Sequence, residues 1–503
     1  MTVRAPAACV ALAVALALGA GCGASPTRPH AQAAASGPIA GPSLARPVGY
    51  RTGRHPNALA VADLNGDGKR DLVTANDGTV TVLPNGGGGR FGAREDIPGG
   101  GKSVAVADLN RDGRPDLAVL RARARFPGCH GCGAVAVLIN HGGRFGGGGV
   151  YRAGTDASAV VAGDLDGDGV PDLAVANESG RVRNDTREEW ATGTVSVLRG
   201  RGDGTFLPRK DYAAGSSPVS LALADLNGDG SLDVATAGDE GVSSVLINQG
   251  DGSFRTRGDY DQTTGPTWVV AGDLDGNGSQ DLAVASNDWS DEVEQSGVTL
   301  QPAFVYAFAA RADRTLGGQR GLLQTFGYSD GIEALAAGDL NGDRALDLVA
   351  TRTEAPYDAG FVSVLTNDGD GRFPERLDYP VGRSVDGAGL ALALGDLNGD
   401  GRADLATADY STHQVTVRLS APRHCDVQDL TGQTVSVGSG YEAPTLSAAR
   451  RKLAASHCRP GTIRRARSDV GWPRGRVTAQ KPEFGTVLPA GARVELVVSS
   501  GRR

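Results

Sequence analysis

Nine residues, Asp63-Leu64-Asn65-Gly66-Asp67-Gly68-Lys69-Arg70-Asp71, put side-chain oxygens at positions 1, 3, 5 and 9 of one short stretch. The pattern D-x-N-x-D-G-x-x-D returns six more times, at intervals of 45, 56, 61, 48, 66 and 57 residues. The donors are Asp63, Asn65, Asp67 and Asp71 in the first copy and Asp108, Asn110, Asp112 and Asp116 in the second. The third and fourth carry Asp164, Asp166, Asp168 and Asp172, then Asp225, Asn227, Asp229 and Asp233. The fifth and sixth carry Asp273, Asp275, Asn277 and Asp281, then Asp339, Asn341, Asp343 and Asp347, and the last Asp396, Asn398, Asp400 and Asp404. Carboxylates brought together in one tight loop repel unless a cation lies among them. Every donor is a hard oxygen, with no Cys or His, so the ion that fits is Ca²⁺, up to seven in a structural role. Glycine at position 6 permits the sharp turn that aims the next carbonyl inward. The competing expectation is a set of metal-free, solvated Asx turns.

An EF-hand would need a Glu at position 12 and flanking helices, and neither is present. Short apolar strand patterns stand there instead, such as Ala58-Leu59-Ala60-Val61-Ala62 before the loop and Asp71-Leu72-Val73-Thr74-Ala75 after it. Each loop is therefore expected to close a β-hairpin. A Val-rich third segment (Thr194 to Leu198), a Gly-Asp-Gly turn and a fourth segment (Thr205 to Tyr212) complete one unit. Four short strands per repeat predict an all-β, seven-bladed β-propeller over residues 43–421. Small first strands suit the crowded centre of such a wheel. The last unit lacks a fourth strand, and Arg46 to Gly53 is expected to supply it, closing two exposed edges at once.

These repeats resemble the FG-GAP/VCBS family, which includes the propeller of integrin α subunits. Two loops depart from the pattern: Asn277 costs the fifth one charge, and Arg344 replaces the sixth loop's position-6 glycine. Weaker metal binding is expected at both. Arg201-Gly202-Asp203 aligns with the Gly-Asp-Gly turns of other units, which accounts for it without an adhesive role. A meander places the acidic loops and Gly-Asp-Gly turns on one face and the long insertions on the other. Those insertions carry Trp190, Trp289 and Tyr357 and are expected to form a ligand surface, or else to pack on themselves.

Residues 1–22 read as a signal peptide: an apolar run from Ala5 to Ala20, too short to span a bilayer, ends in Leu18-Gly19-Ala20-Gly21-Cys22. The ending resembles a bacterial lipoprotein box, with Cys22 as the lipidated residue and the membrane reached through that anchor only; plain export is the alternative. Residues 23–42 form a flexible linker. In an oxidising compartment Cys129, Cys132, Cys425 and Cys458 are expected to form disulfides, with Cys129-His130-Gly131-Cys132 alternatively half a zinc site.

Residues 423–501 change character. From 423 to the end the net charge is +8, against −16 for the rest. The loops alone hold 22 Asp, so seven Ca²⁺ would bring the repeat segment near neutrality without a basic partner. Leu430 to Thr434, a helical stretch from Ala443 to His457, Gly475 to Pro482 and Gly491 to Ser499 resemble a PASTA module, a small α+β domain. That resemblance implies contact with peptidoglycan or another envelope glycan or protein, and a staple between Cys425 and Cys458; a spacer without ligand is the alternative. No Ser/His/Asp, H-E-x-x-H or phosphate-cradling pattern is present, and no nucleic-acid partner is expected. The functional expectation is a secreted, surface-anchored, calcium-binding scaffold. A lyase-like polysaccharide enzyme and a purely structural envelope protein are the alternatives.

Overall fold

The structure is a computed structural model. It describes Ala11–Leu12 and residues 43–121 and 131–421, except 184–187, 192, 216, 239–242, 261–264, 288–292, 296–297, 311–315, 330, 355–358 and 384–389. Beyond these it describes 424–426, 445–455, 459–466, 474–482, 487–489 and 493–500. The chain divides into two compact units, one built on 44–422 and one on 423–503.

The first unit is a β-propeller. Its opening sheet pairs Pro56–Ala62, Asp71–Asn76, Thr79–Leu83 and Glu95–Pro98 in sequence order, all antiparallel. The same meander recurs through seven repeats. First strands pack against one another from repeat to repeat, and Leu390–Gly395 of the seventh packs on Pro56–Ala62 of the first, which closes the ring. The crowding at that centre is measurable: a Cβ on Gly395 would lie 2.7 Å from Val61 of the first repeat. The second strands are buried along their length, as in Asp71–Asn76, while the outer strand Glu95–Pro98 is mostly exposed. Burying each Val or Leu of the inner strands stabilises by roughly 1.5–3 kcal/mol, so the inner strands carry the cohesion.

The N-terminal segment does complete the last repeat. Val48–Arg51 lies antiparallel to Gln414–Arg418, with Val48 opposite Val417 and Arg51 opposite Gln414. Two features differ from expectation. Phe145–Gly163 is one 19-residue strand that ends the second repeat and begins the third. Two insertions are hairpin extensions: Arg181 pairs with Trp190 beyond the third sheet, and Val293 with Leu300 beyond the fifth.

In the second unit the helix Leu446–Ala455 starts later than expected, because Thr445 caps it. The Thr445 hydroxyl accepts a 3.2 Å bond from the Ala448 N–H. Ala449 and Leu453 on one stripe bury against Val477, Val494, Leu496 and Val498. The sheet places Arg493–Ser499 between Arg459–Ala466, parallel, and Val477–Lys481, antiparallel. Among the described residues no helix is long and apolar enough to cross a membrane.

Candidate metal centres

Each acidic loop joins the first and second strands of its repeat, and its geometry begins with the leucine at position 2. Leu64, Leu109, Leu165, Leu226, Leu274, Leu340 and Leu397 are all buried and pin the loop to the core. The chain then turns twice through the left-handed region, at positions 4 and 6. Glycine meets this demand at Gly66 (φ 77°) and Gly68 (φ 81°) in the first loop. Arg111 (φ 60°) in the second loop and Arg344 (φ 73°) in the sixth adopt it with a side chain. The strained position-6 conformation expected of Arg344 is thus present. The position-4 requirement, and Arg111 as its exception, were not anticipated from the sequence.

Those turns wrap backbone N–H groups around the carboxylates. The position-1 Asp accepts from the position-6 N–H in all seven loops, at 2.8 Å for Gly68 to Asp63 and for Arg344 to Asp339. The position-3 oxygen accepts from the N–H of position 5, as in Asp67 to Asn65 at 2.9 Å. Position 5 in turn caps position 7, as in Lys69 to Asp67 at 2.9 Å.

The position-9 aspartate is the deepest donor. Asp71, Asp116, Asp172, Asp233, Asp281, Asp347 and Asp404 are all at most 2% exposed. One oxygen accepts from the position-2 N–H of its own loop, at 2.8 to 3.1 Å. In six of the loops the other accepts from a backbone N–H at or just past the end of the third strand: Asn85, Asn140, Gly200, Asn248, Asn367 or Ser420. Burial pushes the carboxyls of these six up, against the pull of the two N–H bonds, and the neighbouring loop carboxylates push the same way. Asp172, Asp233 and Asp404 rise to about 6 and Asp347 to about 7; Asp71 and Asp116 are also raised.

Convergence is plainest where position 3 is also an aspartate. Carboxylate oxygens of Asp164, Asp166 and Asp172, and of Asp273, Asp275 and Asp281, lie within 4.8 Å of one another. Positions 1, 3 and 9 thus meet, while Asp168 at position 5 stands outside its group. Anionic hard oxygens at this spacing, one of them buried, fit a divalent cation such as Ca²⁺. The third loop also has a cation of its own, since Arg199 forms an ion pair with Asp166.

The four asparagines escaped sequence reasoning. In Asn85, Asn140, Asn248 and Asn367 the side chain is buried and bonded to two carbonyls, one in its own loop and one in the loop before it. The signal was there, as an Asn ending the third strand just before the glycine turn in four repeats. Of the expected ligand surface, the backbone of Trp190 lies on Glu188–Ala191, and Trp289 and Tyr357 lie outside the described residues. Cys22, Cys129 and Cys458 also lie outside them; Cys132 is fully buried, and Cys425 sits on His424–Asp426.

Family comparison identifies the repeats and the C-terminal domain. The FG-GAP-like repeat matches residues 63–119, 189–236, 225–284 and 339–407, and the FG-GAP repeat matches 157–198. The PASTA domain matches 440–500. No curated protein matches the chain. Among solved structures, the chain is similar to a crystal structure of BBS1N in complex with ARL6DN soaked with lead, at 15% identity and a TM-score of 0.48. A mercury-soaked crystal of the same complex is similar at 14% identity and 0.44; each match covers 75% of this chain and 97% of the other. The chain carries FG-GAP repeats and a PASTA domain.

Proposed function

We propose that this is an exported protein of the cell envelope, in which calcium at the acidic loops holds the propeller closed as a binding or adhesion scaffold. The observation that carries the reading is the buried position-9 aspartate. Each accepts backbone N–H bonds and lies beside further carboxylates of its own loop, a charge balance that a bound cation would complete. Positions 1, 3 and 9 would hold the ion, joined by position 5 where the loop closes on it, and the calcium would supply positive charge in place of proton binding.

The PASTA domain, basic in composition, would contact peptidoglycan or another anionic envelope polymer. Cys22 would carry a lipid anchor. A disulfide at the buried Cys132 would suit an oxidising compartment. The insertion face, with Trp190, Trp289 and Tyr357, would take the ligand. The reading is of a binding protein rather than an enzyme.

Calorimetric titration of the chelator-stripped mature protein with calcium tests the metal, with several ions bound per chain as the expected result. A heat signal no larger than dilution would end the calcium reading. Sedimentation with purified cell wall tests the partner. The full chain should pellet and a chain lacking 423–501 should stay in solution; equal recovery would remove the PASTA domain from the binding role.

A further inference from the structure

The four buried asparagines do more than end a strand. Asn140 shows the arrangement in full. Its backbone N–H donates to Asp116 of its own loop at 2.7 Å, and its Oδ1 accepts from Gly143 at 2.7 Å. Its Nδ2 donates to the Pro115 carbonyl of its own loop at 2.9 Å and to the Leu64 carbonyl of the preceding loop at 2.7 Å. One side chain thus fixes two acidic loops and a glycine turn, with both amide hydrogens used. Asn85 reaches Leu397 of the seventh loop, Asn248 reaches Leu165 of the third and Asn367 reaches Leu274 of the fifth.

Each accepting carbonyl belongs to the position-2 leucine. The N–H of that same leucine bonds the position-9 aspartate of its own loop, as Leu274 does to Asp281 at 3.0 Å. A cation drawn to Asp281 therefore pulls on a peptide segment that the next repeat's asparagine holds. At the matching register the third repeat has Gly200, the fifth Ala310 and the seventh Ser420. The third and seventh repeats contact the loop before them through backbone bonds instead, from Gly204 to the Leu109 carbonyl and from Ala403 to the Asp339 carbonyl.

We infer that these asparagines are positioning residues that couple calcium binding between adjacent loops. The coupled pairs are the seventh with the first, the first with the second, the third with the fourth, and the fifth with the sixth. The inference rests on the calcium reading above. The fourth and fifth loops are the contrast, because Ala310 offers no side-chain donor. Ion occupancy is thus a property of neighbouring pairs, and the ring fills in linked steps rather than as seven separate sites.

Hydrogen exchange followed by mass spectrometry on the full mature chain, stripped with chelator and titrated with calcium chloride, reads each loop separately. Asp273→Ala disables the fifth loop and leaves every asparagine in place. The expected result is about a tenfold weaker calcium midpoint for protection of the sixth loop, the scale of one lost buried hydrogen bond, with the fourth loop unmoved. Asn367→Ala should weaken the fifth and sixth loops together and spare the first four. Asn177→Ala is the control, an equally buried side chain that bonds Thr194 and Ser196 within its own sheet. It should lower the melting temperature and leave every midpoint in place. If Asp273→Ala moves the fourth loop as much as the sixth, or moves neither, the coupling is wrong while the calcium sites stand. If no loop of the unaltered chain gains protection with calcium, both readings fall.

Discussion

Two aspartates of the sixth repeat, Asp378 half-buried and Asp347 fully buried, meet opposite electrostatic fates. Asp378, on the outer strand Glu375–Arg383, lies 2.9 Å from the Arg376 guanidinium and 3.8 Å from that of Arg352, and accepts a 2.6 Å bond from Ser363. Burial alone would push its carboxyl up, yet the two arginines and the hydroxyl hold it below the usual range. Asp347, at the acidic loop, accepts from the Leu340 and Asn367 N–H groups, and burial drives it up to about 7. The chain balances the Asp378 charge internally, where it belongs to the frame. Around Asp347 the described residues supply two N–H dipoles and no ion pair, which is the arrangement of a site that draws its cation from solution.

Withdrawing calcium should separate the two regions most sharply. At a hundredfold excess over Kd each occupied loop adds about 2.7 kcal/mol to folding, so several loops together outweigh any single substitution. Chelation is expected to lower the melting temperature of the propeller by about 10 °C or more, read by calorimetry, while the PASTA transition stays in place. A propeller transition indifferent to chelator would mean that the loops are plain turns.

Crossed substitutions come next. Asp378→Ala removes the carboxylate that balances Arg376 and Arg352, at a cost of about 1–3 kcal/mol with or without calcium. Asp347→Asn removes a costly buried charge, so it should leave the metal-free protein as stable or more so, yet forfeit the roughly 2.7 kcal/mol that calcium gives at that loop. Denaturant melts with and without calcium form the test. A calcium-dependent loss at Asp378, or a calcium-independent loss at Asp347, would erase the distinction.

The sequence carried the distinction only in part. Seven acidic loops in register were plain, because the donors recur at fixed spacing and strand patterns flank each one. Ring closure by Val48–Arg51 was plain for the same reason: that segment repeats the pattern of the other fourth strands. Asn140 was not legible, because an Asn before a glycine turn reads as a turn residue and its second acceptor lies 76 residues back. Nor was Arg111, whose left-handed backbone is invisible until the shared turn at position 4 is seen. The hairpin extension through Trp190 was hidden because its charged, weakly alternating residues lack a strand period. Local chemistry repeats visibly; contacts between repeats do not.

The pH response sharpens the comparison further. In the metal-free protein the position-9 carboxyls titrate higher folded, about 6 to 7 at Asp172, Asp233, Asp404 and Asp347, than in the unfolded chain, near the ordinary carboxyl value. Between those limits the folded state holds more protons, so stability falls as pH rises. The stripped protein should therefore melt higher at pH 5 than at pH 7.5. Asp378 runs the other way: its carboxyl is held low, and its contribution is lost only in more acidic solution. Calcium favours the ionised loops, so its affinity should rise over the same window with release of protons. Metal-free melting that rises from pH 5 to 7.5 would contradict the burial argument.

The third loop is a place where the two arrangements overlap, and it predicts the smallest effect. Arg199 pairs with Asp166, so here the chain places a cation beside a position-3 carboxylate, as Lys69 and Arg114 pair with the position-5 carboxylates Asp67 and Asp112. The Arg199 guanidinium is nearly half exposed, unlike Arg352, so solvent screens it and calcium can displace it. Arg199→Ala should then tighten calcium at the third loop by no more than about fivefold, the upper range for an exposed ion pair, and leave the fifth loop unchanged. Calcium-dependent hydrogen exchange at residues 164–172 against 273–281 resolves the two. Weaker binding after the substitution would make Arg199 a support for the loop rather than a rival for its cation, and internal and external countercharge would then cooperate.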